Sequence, residues 1–110
     1  MTIIEAWLAG ASIVDTETIW NANRISGCGW NCVLLERRIR QWLLNHGDCR
    51  AGEWYSFYDV CNESYVSAYR QFGKGVVTLL KAAMTPVLEF QGGRVRVRQV
   101  PLVQLDSSSQ

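Results

Sequence analysis

The sequence predicts a mainly helical domain that ends in a small β-hairpin. Apolar residues recur at helical spacing in several segments between residues 3 and 84, and glycines or polar residues separate these segments. The stretch FQGGRVRVRQV at 90–100 instead alternates valine with arginine after two glycines. That alternation is typical of a strand that returns from a tight hairpin turn.

The composition fits one domain with an uneven charge distribution. The chain has 110 residues, of which 48% are hydrophobic, and its net charge is +1. Residues 65–110 contain six basic and two acidic residues, a local excess of +4, whereas residues 1–36 contain one base and four acids. This asymmetry favours an anionic partner on one face.

The first thirty residues predict two short helices. Thr2 is the expected N-cap of the first helix, and Asp15 or Thr16 is the expected N-cap of the second. No apolar run reaches the roughly 18–20 residues that a membrane span needs, and no basic region precedes the apolar start. We therefore expect no membrane partner and an intracellular protein.

The third and strongest helix is predicted in NCVLLERRIRQWLLNHG, from an Asn31 N-cap to a stop at Gly47. Arg37, Arg38 and Arg40 fall mostly off its apolar stripe. The stripe consists of Leu35, Ile39, Trp42, Leu43 and His46. The only histidine of the chain lies in the last turn, where its expected role is to contact helix carbonyls rather than to catalyse.

Two further helices are predicted after an extended link at CRAG, residues 49–52. One starts at Glu53 and places Trp54, Phe57, Tyr58 and Cys61 on a core face, although such aromatic density also occurs where bases stack. The other follows the glycines at 73 and 75 and ends before Pro86. Its apolar face contains Val76, Leu79, Leu80, Ala83 and Met84.

The hairpin is predicted to consist of a strand at 87–90, a turn at Gly92 and Gly93, and a return strand at 94–100. Its valines then face the core and its arginines face away, because neighbouring side chains on a strand point to opposite sides. The element order predicts a winged helix–turn–helix at 31–103. One or two extra helices precede it at 1–30, and a disordered tail follows at 104–110.

Residues 33–100 resemble the LOTUS (OST-HTH) winged-helix domains. The resemblance lies in the segments VLLERRIRQWLLNHG, WYSFYDVCNESY and FGKGVVTLLKAAMTPVLEFQGGRVRVRQ, which follow one another in the order of that family. It implies RNA binding, with a preference for G-rich or structured RNA, or binding of a Vasa-type DEAD-box helicase through a C-terminal helix. It also implies a cytoplasmic ribonucleoprotein granule or the nucleus. The sequence after the hairpin, PLVQLDSSSQ, is short and polar for that helix.

Nucleic-acid binding is the first functional prediction, with RNA or DNA as the partner. Arg94, Arg96 and Arg98 would stand about 6.6–6.8 Å apart along a strand, close to the spacing of successive phosphates. Lys74 and Lys81 on the last helix are further candidate phosphate contacts. The alternative is a solvated edge strand that its charges protect from aggregation.

A protein-interaction module is the second prediction, with self-association into a homodimer as one form of it. An exposed Trp7 or Trp20 would mark the contact surface, whereas burial of both would place them in the core. Catalysis is not expected, because paired carboxylates and nucleophile–base groupings are missing from the sequence. The spacing of Cys28, Cys32 and the two later cysteines predicts neither a metal site nor any other cofactor.

Overall fold

The structure is a computed structural model that describes residues 2–27, 29–62, 70 and 73–100. The described part of the chain is mainly helical, with one small antiparallel sheet. The helices are α1 (Ile3–Leu8), α2 (Thr16–Ser26), α3 (Trp30–Asn45), α4 (Phe57–Asn62) and α5 (Lys74–Ala83). The strands are β1 (Tyr55–Ser56), β2 (Leu88–Gln91) and β3 (Arg94–Val97). Among these helices, none is long and apolar enough to cross a membrane.

The N-terminal helices begin as predicted. Thr2 Oγ1 accepts a hydrogen bond from the Glu5 backbone N–H at 3.1 Å, and Asp15 accepts one from the Thr18 backbone N–H at 2.8 Å. Hydrogen bonding from the Thr18 side chain, followed by the bond from its backbone N–H, lowers the pKa of the Asp15 carboxyl below its ordinary value. Both side chains thus satisfy a backbone donor that the helix itself leaves free.

The predicted N-cap of the third helix is wrong. Helix α3 already begins at Trp30, so Asn31 lies inside it, and the N-cap is Gly29 without a side-chain hydrogen bond. A β-carbon at Gly29 would stand 2.3 Å from the Ile19 backbone oxygen. The close approach of α2 therefore requires a glycine here and leaves no room for a capping side chain.

The segment between α3 and α4 also differs from the prediction. CRAG is not extended, because Cys49–Ala51 form one turn of 3₁₀ helix. The next helix does not start at Glu53, because β1 precedes it and pairs Tyr55 with Val95 of the hairpin. Tyr58, predicted on a buried face, is exposed. Pairing with a distant strand has overridden the local helical spacing.

The sheet has the strand order β1–β3–β2, with antiparallel neighbours. Gly92 and Gly93 form the predicted turn between β2 and β3, with φ angles of 56° and 78°. Val95 and Val97 are buried, as predicted. Strand β3 ends at Val97 rather than at residue 100. Beyond it, the Arg98 backbone N–H donates to the oxygen of Val87, which lies just outside β2.

One core joins the N-terminal helices to the rest of the described chain. Helix α3 contributes Leu35, Ile39 and Leu43, as its apolar stripe predicts. The same core contains side chains from α1, α2, α5 and the hairpin. These include Ile4, Trp7, Leu8, Ala22, Val76, Val77, Leu80, Val95 and Val97. The predicted tail at 104–110 lies outside the described residues.

A buried glutamate on α3 holds the segment that follows α1. Glu36 is 1% exposed, and its two carboxylate oxygens accept three hydrogen bonds. The donors are Trp7 Nε1 at 3.0 Å, the Ser12 hydroxyl at 2.6 Å and the Ile13 backbone N–H at 2.8 Å. Three donors on one carboxylate offset much of the free energy that its burial costs.

Arg40, one turn further along α3, acts on the same segment. It lies off the apolar stripe, as predicted, yet it is buried against α1. Its guanidinium donates to the backbone oxygens of Trp7 and Ala11 at 2.7 and 2.9 Å, and it stands 5.0 Å from the centre of the Trp7 ring. Helix α1 is thus held in place by polar side chains of α3 as well as by apolar packing.

Candidate nucleic-acid interface

Two arginines and a tryptophan share the side of the sheet that faces away from the core. We call this surface the outer face and define it by Trp54, Glu89, Arg94 and Arg96. The guanidinium carbon of Arg94 stands 5.3 Å from the centre of the Trp54 ring, and that of Arg96 stands 4.6 Å from it. Both distances lie within the range of cation–π attraction, so the indole orients both guanidinium groups.

The three predicted arginines are not equivalent. Arg94 is exposed, whereas Arg96 forms an ion pair of 3.0 Å with Glu89, its direct neighbour on β2. Arg98 lies beyond the end of β3, and its Nε donates to the Thr85 backbone oxygen. The predicted row of three solvent-facing guanidiniums is therefore only partly formed, because a cross-strand carboxylate and a carbonyl engage two of its members.

The two predicted lysines lie at different places on α5. Lys74 is the first residue of the helix and is exposed, and its N-cap, Gly73, provides no side-chain hydrogen bond. Lys81 is half-buried, with its ammonium nitrogen 5.3 Å from the ring centres of both Phe57 and Phe90. Lys74 therefore presents its charge to solvent, whereas Lys81 packs on two aromatic rings.

Helix α2 covers part of α5. The two helices pack together, and a β-carbon placed at Gly75 would stand 3.0 Å from the Ile25 side chain. The exposed positions of α5 are Lys74, Thr78 and Ala82, so after its first residue only small side chains are exposed. After Lys74, this helix therefore offers a narrow surface of small side chains.

The histidine and the described cysteines, which are the side chains considered for catalysis or metal binding, pack within the fold. His46 Nδ1 lies 2.8 Å from the Trp42 backbone oxygen, and its ring stacks on the Trp42 ring at 4.1 Å. Burial raises the pKa of the Cys61 thiol to about 12 and also raises that of Cys49. The described residues contain no group of three or more histidine, cysteine or acidic side chains that could hold a metal ion. Cys28 lies outside them.

The tryptophans of the N-terminal region divide into one buried and two exposed residues. Trp7 is 1% exposed and hydrogen-bonded to Glu36, so it belongs to the core rather than to a contact surface. Trp20 is 63% exposed and Trp30 is 71% exposed. Together they border a groove of about 320 Å³.

Sequence reasoning missed two members of these surfaces. Trp54 was predicted on a core face, whereas it precedes β1 and lies on the outer face of the sheet. The sequence gives no local signal for this position, because only the pairing of the next two residues with β3 defines it. Trp30 lies in the first turn of α3, and this position makes it part of the groove.

Comparison with known proteins gives no match for this chain among protein-family models, curated proteins or solved structures.

Proposed function

We propose that the protein is a non-catalytic winged helix–turn–helix module that binds nucleic acid, with RNA favoured over duplex DNA. The described elements follow one another as α3, β1, α4, α5, β2 and β3, and β3 lies between β1 and β2. This order supports a winged helix whose wing is the hairpin, and it agrees with the resemblance to LOTUS domains.

The observation that supports binding most directly is the contact of Arg94 and Arg96 with Trp54. A guanidinium that already lies against an indole loses little conformational freedom when it pairs with a phosphate. Its plane can also stack on an unpaired base. The outer face therefore offers pre-oriented cations next to an aromatic ring, a combination that suits single-stranded or looped RNA.

The surface of α5 favours RNA over the major groove of duplex DNA. In a winged helix–turn–helix, α5 would be the helix that enters that groove. Base readout there needs several long polar side chains, but after Lys74 the exposed residues of α5 are Thr78 and Ala82, and Ile25 of α2 packs beside Gly75. The wing is then the main contact surface.

The charges predict a moderate dependence of binding on salt. Lys74, Arg94 and Arg98 form no ion pair within the described residues, whereas Arg96 is paired with Glu89. Three phosphate contacts give a slope of log K against log salt of about −2 to −3. This slope can be measured by fluorescence anisotropy with labelled RNA at several salt concentrations.

Charge reversal on the wing tests the proposal. Replacing Arg94, Arg96 and Arg98 together by glutamate is expected to abolish RNA binding. Arg94→Glu alone is expected to weaken it about tenfold, because one charge-assisted contact becomes a repulsion. Arg37→Glu makes the same change at an exposed arginine of α3 and serves as the matched control. Circular dichroism checks that every variant remains folded.

A binding panel decides the class of ligand. Structured RNA, single-stranded RNA and duplex DNA of equal length are compared at two salt concentrations. Unchanged RNA affinity in the triple variant contradicts the proposal, and tighter binding of duplex DNA contradicts its preference for RNA.

A protein-interaction module is the second candidate function. The exposure of Trp20 and Trp30 favours it, because large apolar side chains that remain in solvent are typical of contact surfaces. The LOTUS resemblance adds an RNA helicase to the candidate partners. A panel in which none of the three nucleic acids binds would favour this candidate.

A further inference from the structure

The exposed side of α2 combines an acid, a tryptophan and a base. Glu17, Trp20 and Arg24 are separated by three and four residues, so they lie on one face of the helix. All three are exposed, and neither Glu17 nor Arg24 forms an ion pair within the described chain. We call these three residues the α2 face. Within the described residues, both charges of the α2 face are therefore without an ion-pair partner.

The groove beside Trp20 extends this surface onto α3. Thr16, Ile19, Asn23 and Trp30 complete its lining. An aromatic side chain buries about 150–250 Å² when it is covered. Because 63% of Trp20 and 71% of Trp30 remain to be covered, the two tryptophans would supply about a quarter to two-fifths of the roughly 800 Å² that each partner of a standard interface buries. The α2 face and this groove are large enough to form the centre of an interface.

We propose that a second copy of this chain docks on the α2 face through a two-fold axis that passes between Trp20 and Asn21. The two α2 helices then run antiparallel. Glu17 lies against the partner's Arg24, and Arg24 lies against the partner's Glu17. Trp20 meets the partner's Trp20 at the axis, beside the groove of each copy.

The spacing on α2 makes this arrangement self-complementary. Glu17 and Arg24 are about 10.5 Å apart along the helix axis, and Trp20 lies near the midpoint between them. Because a two-fold axis places the same patch on both copies, opposite charges meet only when the helices are antiparallel. A parallel pair would place Glu17 on the partner's Glu17. The parallel arrangement of the two helices therefore carries an electrostatic cost.

The charge pattern favours a second copy over a different partner. A partner of uniformly positive or negative charge would satisfy one end of the α2 face and repel the other. A second copy satisfies both ends at once. The net charge of the whole chain is only +1, so long-range repulsion between two copies is small.

Charge exchange between copies tests the proposal. Sedimentation of the full chain is expected to show a monomer–dimer equilibrium over a hundredfold range of concentration. Glu17→Arg places like charges opposite each other in both pairs, and so does Arg24→Glu. Each variant alone is expected to dimerise at least tenfold more weakly. When the two variants are mixed in equal amounts, opposite charges meet again and a heterodimer is expected to form.

The mixture of the two variants also distinguishes lost contact between copies from lost stability of α2. Reversing an acid at the N-terminus of α2 or a base near its C-terminus weakens the helix in each separate variant. Mixing does not change the stability of either chain, so dimerisation that returns on mixing reports contact between copies. Trp20→Ala is expected to weaken the dimer about thirtyfold, as truncation of a central tryptophan does. Tyr58→Ala, at an exposed aromatic residue of α4, is the matched control.

Three results would overturn the proposal. One is a monomer at every concentration, and another is a dimer that neither charge reversal weakens. The third is the failure of the mixed variants to associate. The inference does not depend on nucleic-acid binding, because Arg94→Glu is expected to leave the dimer unchanged. Loss of one activity can therefore be distinguished from loss of the other.

Discussion

The outer face of the sheet and the α2 face differ in how far the protein compensates their charges internally. On the sheet, Arg96 pairs with Glu89, and the Trp54 ring lies near both Arg94 and Arg96. On α2, Trp20 remains in solvent and Glu17 has no ion-pair partner among the described residues.

This difference indicates how each surface can gain free energy from a ligand. A ligand of the outer face must compete with contacts that the monomer already makes, so the gain per arginine is moderate. A partner of the α2 face breaks no ion pair of the described residues, and the gain is then limited by the apolar area that becomes buried. The spacing of arginines in a sequence does not show whether their charges are already engaged within the protein or remain available to a ligand.

The largest expected effect comes from detaching the region that presents the α2 face. Glu36→Ala removes the acceptor of Trp7 Nε1, the Ser12 hydroxyl and the Ile13 backbone N–H, and it leaves these donors without a partner. We expect the free energy of unfolding to fall by about 3–5 kcal/mol. Urea denaturation measures this loss, and dimerisation should weaken more than RNA binding does.

Two controls define the cause of that loss. Glu36→Gln keeps one oxygen acceptor and is expected to destabilise the protein less than Glu36→Ala. Glu17→Ala removes an exposed carboxylate and should change stability by at most about 0.5 kcal/mol. If Glu36→Ala were as mild as Glu17→Ala, the buried carboxylate would not hold the N-terminal segment.

A smaller effect is expected when the ion pair between Arg96 and Glu89 on the outer face is removed. Glu89→Gln leaves Arg96 without its ion-pair partner, so that its charge becomes available to a phosphate. We expect RNA affinity to rise about threefold, which is within the energy of an exposed ion pair, and the salt slope to steepen by about 0.7.

Fluorescence anisotropy measures both changes. Glu17→Gln alters the net charge equally and is the control. An equal rise in both variants would mean that net charge, not release of Arg96, raises the affinity.

The helices and the hairpin could be predicted from the sequence because their signals are local. Apolar spacing identified the stripe of α3, and Gly92 and Gly93 identified the turn. Strand β1 escaped prediction because two residues are too short for a periodic signal, and only their pairing with β3 defines them. Helical spacing alone therefore placed Trp54 in a core to which it does not belong.

The candidate surfaces were predicted less well than the fold for a related reason. Strand alternation places Arg94 and Arg96 on one side, but no local rule indicates that Glu89 lies directly opposite Arg96. The burial of Glu36 and Arg40 likewise depends on donors and acceptors that lie more than twenty residues away in the sequence. Which charges are free is decided by tertiary contacts, not by composition.

The smallest expected effect concerns the junction between α3 and β1. The Tyr55 hydroxyl lies 2.7 Å from the His46 backbone oxygen and 3.2 Å from a Glu53 carboxylate oxygen, and these two acceptors share its single proton. Burial, followed by the bond to Glu53, raises the pKa of Tyr55 to about 12. Tyr55→Phe keeps the ring but loses the hydroxyl, so we expect a loss of about 1 kcal/mol at neutral pH.

The pH dependence gives this variant a second signature. Because the folded-state pKa of Tyr55 is raised, its contribution is complete below pH 10, the ordinary pKa of tyrosine, and is lost as the pH rises towards 12. Wild type should therefore lose more stability than Tyr55→Phe over this range in urea denaturation. Cys61, whose pKa is also raised, contributes equally to both proteins and cancels in the difference. Parallel pH curves would show that the hydroxyl bond at this junction adds nothing to the attachment of β1.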